Sequence, residues 1–193
     1  MVIMDINTFL IDSLIQGKEN PRMRRKIRKI MFDYDEAVDI DEFCFEGVLK
    51  SSVLEVLLHS DSKPFGLELA NWALFHFGGK ETISNVAFSK ILSLRGNLGR
   101  SILMNLEHVP LAFYQLVELC KNENAGMIFD ILLPVLCEHD CFTSNDVRYI
   151  LSQLNAKPAL ISMAIEHTKK LCGCSDKLEM VEKYYEELLT QIE

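Results

Sequence analysis

The chain has 193 residues, 49% of them hydrophobic and 25% charged, with a formal net charge of −8. That balance excludes wholesale disorder, because ample apolar surface is there to bury, and it disfavours broad, non-specific binding to nucleic acid. The longest apolar run, Ile128 to Cys137, holds Asp130 and Pro134 and falls short of the about 20 apolar residues that a bilayer crossing needs, so no membrane association is expected.

Met1 to Ile15 has no basic stretch of the kind that opens a signal peptide, and Asp5 and Asp12 interrupt its apolar residues. The six cysteines, Cys44, Cys120, Cys137, Cys141, Cys172 and Cys174, are therefore expected as reduced thiols inside a cell. The apolar spacing predicts a first helix over Asp5 to Gln16, stopped by Gly17. Asn20 and Pro21 cap and open a second, Pro21 to about Phe32, which carries Arg22, Arg24, Arg25, Lys26, Arg28 and Lys29 beside a narrow stripe of Met23, Ile27, Ile30 and Met31. An acidic block, Asp33 to Glu46, follows the basic helix.

Asp41 to His59 reads as one or two helices. Pro64 to Phe77 is apolar over most of its circumference and holds Trp72, so it is expected at the centre of the core. Thr82 to Leu94, Leu98 to Leu106 and Pro110 to Cys120 follow, and Asn124 caps the next helix, which carries Ile131, Leu132, Val135 and Leu136. Thr143-Ser-Asn-Asp146 reads as a capping-box variant opening another helix. Lys157-Pro158 begins a helix that Gly173 ends, and Ser175 to Ile192 is the last.

About ten helices joined by about two to six residues, with no alternating strand pattern, predict an all-α fold of antiparallel hairpins stacked as a HEAT- or armadillo-like solenoid. A compact helical bundle is the alternative. The expected organisation is an N-terminal part, 1–50, with its basic then acidic block, a helical-repeat core, 51–174, and a capping helix, 175–193.

Cys137-x3-Cys141 and Cys172-x-Cys174 could supply four thiolates to zinc, but neither has the usual C-x2-C spacing, so they read as structural thiols and no metal is assigned. Gly78-Gly79 and Gly96-Asn-Leu-Gly99 follow helices and lack the phosphate-loop lysine, which makes them helix stops. The five histidines are scattered singly. No catalytic constellation, cofactor or small-molecule substrate is therefore expected. The basic residues Arg22 to Lys29 are either a solvated face paired with the Asp33 to Glu46 acids, or a nuclear import signal, a phosphate-contacting helix or a site for an acidic partner. No aromatic residue interleaves them, which speaks against base stacking.

Phe65-Gly-Leu-Glu-Leu-Ala-Asn-Trp72, then Ser84-Asn85, then Ile91-Leu-Ser-Leu94 form one segment of note. Ile131-Leu-Leu-Pro-Val-Leu136, the turn to Thr143, Leu154 and the run Leu160 to Leu171 form another. In this order the two resemble the C-terminal helical-repeat domain of the Fanconi anaemia group E family. The chain has fewer residues between the segments than that domain, and Leu160 stands where the family has a phenylalanine. The resemblance implies a nuclear adaptor of DNA crosslink repair that joins the core ubiquitin ligase complex to its substrate. On that reading the partner-binding residues are Leu160, Met163, His167 and Lys170, with Arg22, Arg25, Arg28 and Lys29 second. The alternative location is cytoplasmic. The alternative function is a compact Bcl-2-like regulator that takes an amphipathic helix in a groove; such a fold needs a central all-apolar helix, a part Phe65 to Phe77 could fill, although Asn71-Trp72 continues as Ala-Leu and not as Gly-Arg.

Overall fold

The computed structural model describes residues 2–36, 43–79, 81–121, 129–138, 140, 142–153, 158–173 and 175–192. The protein is mostly helical, with eleven α-helices, one 3-10 turn and a two-stranded sheet among the described residues. The chain divides into two compact units, Met1–Leu111 and Ala112–Glu193.

The first unit opens with a strand, β1 (Val2–Asp5), that runs directly into α1 (Ile6–Gly17). Asp5 is the N-cap of that helix and not its first residue: its carboxylate accepts the Thr8 amide at 2.9 Å. Gly17 ends α1 against the Phe65 ring, where a β-carbon would have no room. Asn20 then caps α2 (Pro21–Asp35), accepting from the Arg22 and Met23 amides at 3.1 and 3.2 Å.

The helix expected over Asp41 to His59 is present only from Ser51. Residues before it form a second strand, β2 (Phe43–Glu46), parallel to β1 with Val2 opposite Phe43 and Asp5 opposite Glu46. Four residues are too few to show a period, and the ladder comes from a strand about forty residues away, so local pattern had no means of revealing it. Phe45 secures the strand by entering an aromatic cluster, its ring centroid 4.7 Å from Phe9, 5.4 Å from Tyr34 and 5.7 Å from Trp72.

The buried Asn7 amide then holds the chain after β2, donating to the Val48 carbonyl at 2.9 Å and accepting the Lys50 amide at 2.8 Å. The sharp bend between them uses Gly47 at φ +98, a conformation that other residues rarely adopt. α3 (Ser51–His59), α4 (Phe65–Phe77), α5 (Asn85–Ser93) and α6 (Gly96–Met104) complete the unit, the last passing into a 3-10 turn, Asn105–His108. The helix expected from Thr82 starts after Ser84, whose hydroxyl accepts the Ala87 amide at 3.2 Å while its own amide donates to the Ser51 hydroxyl. α4 packs against α1, α3 and α6, and Phe65, Leu69, Ala70, Ala73 and Leu74 are fully buried.

The second unit holds α7 (Phe113–Cys120), α8 (Phe129–Glu138), α9 (Ser144–Gln153), α10 (Pro158–Cys172) and α11 (Asp176–Ile192). The expected cap Asn124, along with Lys157, lies outside the described residues. The capping box is present: the Asp146 carboxylate accepts the Thr143 amide at 2.8 Å and the Thr143 hydroxyl accepts the Asp146 amide at 3.3 Å. α10 packs on α8 and α11, α11 on α9, and α9 on α7. Leu132, Leu133, Leu136, Phe142, Val147 and Ile161 lie in this core.

Trp72 is 5% exposed and sits among five other rings, those of Phe9, Tyr34, Phe45, His76 and Phe77, so truncation would leave a large void. Trp72→Ala should cost about 3–5 kcal/mol in denaturant unfolding. Trp72→Phe, which keeps most of the packing but loses the indole N–H, should cost about 1–2 kcal/mol; unchanged unfolding of both variants would refute this packing role.

Candidate functional site

A groove of about 610 Å³ lies along α4 in the first unit. Its floor is the α4 stripe Glu68, Asn71, Trp72 and Phe75, at i, i+3, i+4 and i+7, which puts all four on one side of the helix. Met31 and Asp35 of α2 form one wall, and Leu98, Ser101 and Asn105 the other. Polar bonds brace both walls against the floor. Arg28 Nε donates to Glu68 Oε2 at 2.7 Å and Arg28 Nη2 to Glu68 Oε1 at 3.0 Å, a bidentate pair. Asp35 Oδ1 accepts the Trp72 indole N–H at 2.7 Å and lies 2.8 Å from His76 Nε2. Asn105 Nδ2 donates to the Asn71 carbonyl at 3.1 Å and to its side-chain oxygen at 3.0 Å.

Within this frame one large ring is left outward. Phe75 is 54% exposed, with its centroid 4.7 Å from His76 and 5.2 Å from His108. Among the described residues the groove lining combines the Trp72 and Phe75 rings with two carboxylates and includes no lysine or arginine. Beneath it, burial pushes the Tyr34 phenol up, helped by the nearby Cys44 and Asp35, so it stays a neutral packing group.

The expected α10 residues share one outer face. Met163 is 63% exposed, His167 and Lys170 are exposed, and Leu171 at 61% extends the stripe. Ile161, Ala164, Ile165 and Thr168 are buried on the other side, so Met163 is not a core residue. Leu160 lies in α10, but its side chain is outside the described ones.

The α2 cations divide into two sets. Arg24 and Arg28 point inward: Arg24 donates to the Gly17 and Lys18 carbonyls at the end of α1, and both guanidinium groups sit 5.7 Å from the Phe65 centroid. Arg22, Arg25 and Lys29 face solvent, as does Lys26, and Lys29 pairs with Asp33 at 2.5 Å. Arg28 is thus a bracing residue of the first unit as well as an exposed one.

The resolved proton affinities have structural causes. Burial raises the Cys137 thiol, and neighbouring Lys177 and Ser175 only partly oppose it, so this cysteine is not a poised thiolate. Hydrogen bonds from Thr8 and from Thr143 hold the Asp5 and Asp146 carboxyls below their usual range, as helix caps do. Among the described residues no three His, Cys, Asp or Glu side chains converge on a common metal position. Cys141 and Cys174 lie outside the described residues, as does the side chain of Cys172. No family model, curated protein or solved structure matches the chain.

The groove was missing from the sequence-based site. Trp72 reads as core, and it is core, but Glu68 and Asn71 interrupt an otherwise apolar helix at the spacing of one face. That interruption was the available signal. Asp35 is 37 residues from Trp72, and nothing local connects them.

Asp5 and Asp146 bind protons less readily folded than unfolded, so the native state holds fewer protons there and their stabilisation is lost as pH falls below about 4. Thermal melts between about pH 7 and pH 3 should show this decline, and the double variant Asp5→Asn, Asp146→Asn should flatten it. An equally steep decline in the double variant would assign the acid sensitivity to other carboxylates.

Proposed function

We propose that the chain is a non-catalytic, protein-binding scaffold of stacked helical hairpins. The groove along α4 carries this reading, because between two braced walls it presents the exposed Phe75 ring on a floor shared by Trp72, Asn71 and Glu68. Its occupant is an amphipathic helix that lays apolar residues on Met31, Trp72, Phe75 and Leu98 and brings a lysine or arginine to Asp35. Solenoid stacking is supported by the packing of α3 on α5, α4 on α6, α8 on α10 and α9 on α11, since stacked hairpins place every second helix in one layer.

The sharper form of the proposal is a nuclear adaptor of DNA crosslink repair that joins the core ubiquitin ligase complex to its substrate. The sequence resemblance alone supports it, and its surface is the outer face of α10, with Met163, His167 and Lys170. A compact groove-bearing regulator of the Bcl-2-like type is the second reading, favoured by the position of the groove beside the central helix.

Affinity purification of the tagged chain from nuclear extract, with identification of the bound proteins, tests these readings together. Phe75→Glu and Met163→Glu alter exposed positions, so both variants should fold. Loss of a reproducible partner with Phe75→Glu supports groove binding. Recovery of crosslink-repair core subunits that depends on Met163 supports the adaptor form. Partners recovered equally by the wild type and both variants would defeat both surfaces, and recovery of none would defeat the scaffold reading.

A further inference from the structure

We propose that the outward stripe of α2, Arg22, Arg25 and Lys26 extended by Lys29, is a docking surface for an acidic protein segment with an apolar residue at one end. The proposal shares the premise that the chain binds proteins, but it uses a surface distinct from the groove and from α10.

Helix phase sorts the six cations of α2. Positions 22, 25, 26 and 29 lie at i, i+3, i+4 and i+7 and share one side, whereas Arg24 and Arg28 turn inward beside the buried Ile27. The inward pair is neutralised by carbonyls, by Glu68 and by the Phe65 ring. Among the described residues, Arg22, Arg25 and Lys26 have no side-chain hydrogen bond or ion pair. They repel one another at neighbouring positions, and Arg22 stands in the first turn, where the backbone dipole is already positive. The first turn of α2 contains no acidic residue to offset this. Such a stripe weakens the isolated helix, and a carboxylate-bearing partner relieves the repulsion.

The stripe is about 10 Å long, from the helical rise of 1.5 Å per residue, a length that two or three carboxylates on a helix face or an extended segment can match. Phe32 is 60% exposed and lies three residues beyond Lys29, so it offers an apolar contact at the far end of the same flank. A single-stranded nucleic acid fits less well, because no aromatic ring interleaves the cations. A membrane surface also fits less well, because the apolar residue of α2 that is fully turned away, Ile27, is committed to the protein core.

The test is fluorescence anisotropy on the full chain, using a short fluorescein-labelled peptide with an Asp/Glu block followed by Leu-Phe. Saturable binding that weakens as salt rises is expected. The triple variant R22E/R25E/K26E should weaken binding by about tenfold, the effect of losing three exposed ion pairs. Phe32→Ala should weaken it less, and Phe75→Glu should leave it unchanged, which separates this surface from the groove. Circular dichroism checks folding of the variants, in which all three substituted positions are solvent-exposed and an acidic residue at 22 suits the first turn. The proposal is overturned by an absence of saturable binding or by equal binding of the lysine-substituted peptide. It is also overturned if the triple variant binds as the wild type does, or if anionic vesicles or an oligonucleotide of equal charge bind more tightly than the peptide.

Discussion

The carboxylate of Asp35 joins the two parts of the first unit that frame its groove. It ends α2, accepts the indole N–H of Trp72 at 2.7 Å, and lies 2.8 Å from His76, so one residue ties the second helix to the central one. An acid at a helix C-terminus opposes the backbone dipole, and here the opposition is offset by two donors from α4. Trp72 in turn touches Phe9, Tyr34, Phe45 and Phe77, and these side chains belong to α1, α2, β2 and α4. Helices that approach α4 from different sides are held to the same ring. The bracing of the groove floor and the burial of Phe45 in the second strand are therefore two results of the same contact set.

Features that depend on near neighbours were legible in the sequence. Thr143 and Asp146 are three residues apart and cap each other as their types suggest. Gly17 ends α1, and the apolar girth of residues 65–77 marks α4 as central. Features that depend on distant neighbours were not. The β1–β2 ladder joins residues about forty apart, and Phe45 becomes a core residue only because Phe9 and Trp72 meet it. The charges of α2 show the same division. Arg22, Arg24, Arg25 and Arg28 are one residue type in one helix, and only the rotation fixed by Ile27 separates the bracing arginines from the outward ones. On α10, the outward position of Met163, His167 and Lys170 could be read from the phase of Ile161, Ala164 and Ile165. The groove could not, since two of its walls come from helices remote in sequence.

The carboxylates with lowered proton affinity cap helices, the Cys137 thiol is buried and protonated, and the phenol of Tyr34 is neutral packing. Exposed apolar side chains and charge gather along the α4 groove and the outward side of α2 in the first unit, and on the outer side of α10 in the second.

The parallel pairing of β1 with β2 has a consequence for how the first unit assembles. A parallel pair cannot be closed by a tight turn, and here the α1–α2 hairpin forms the connection. Closing a loop of about forty residues costs roughly 3 kcal/mol of chain entropy before any ladder bond repays it. Phe45 lies in β2 and its contacts with Phe9 and Tyr34 close loops of that length or shorter, so strand pairing and entry of Phe45 into the aromatic cluster share one closure cost. Until the strands close, residues 43–50 have neither the ladder nor the Asn7 bridge to hold them. The sheet, the smallest element in the fold, therefore depends on the ring of Phe45 as well as on its own ladder.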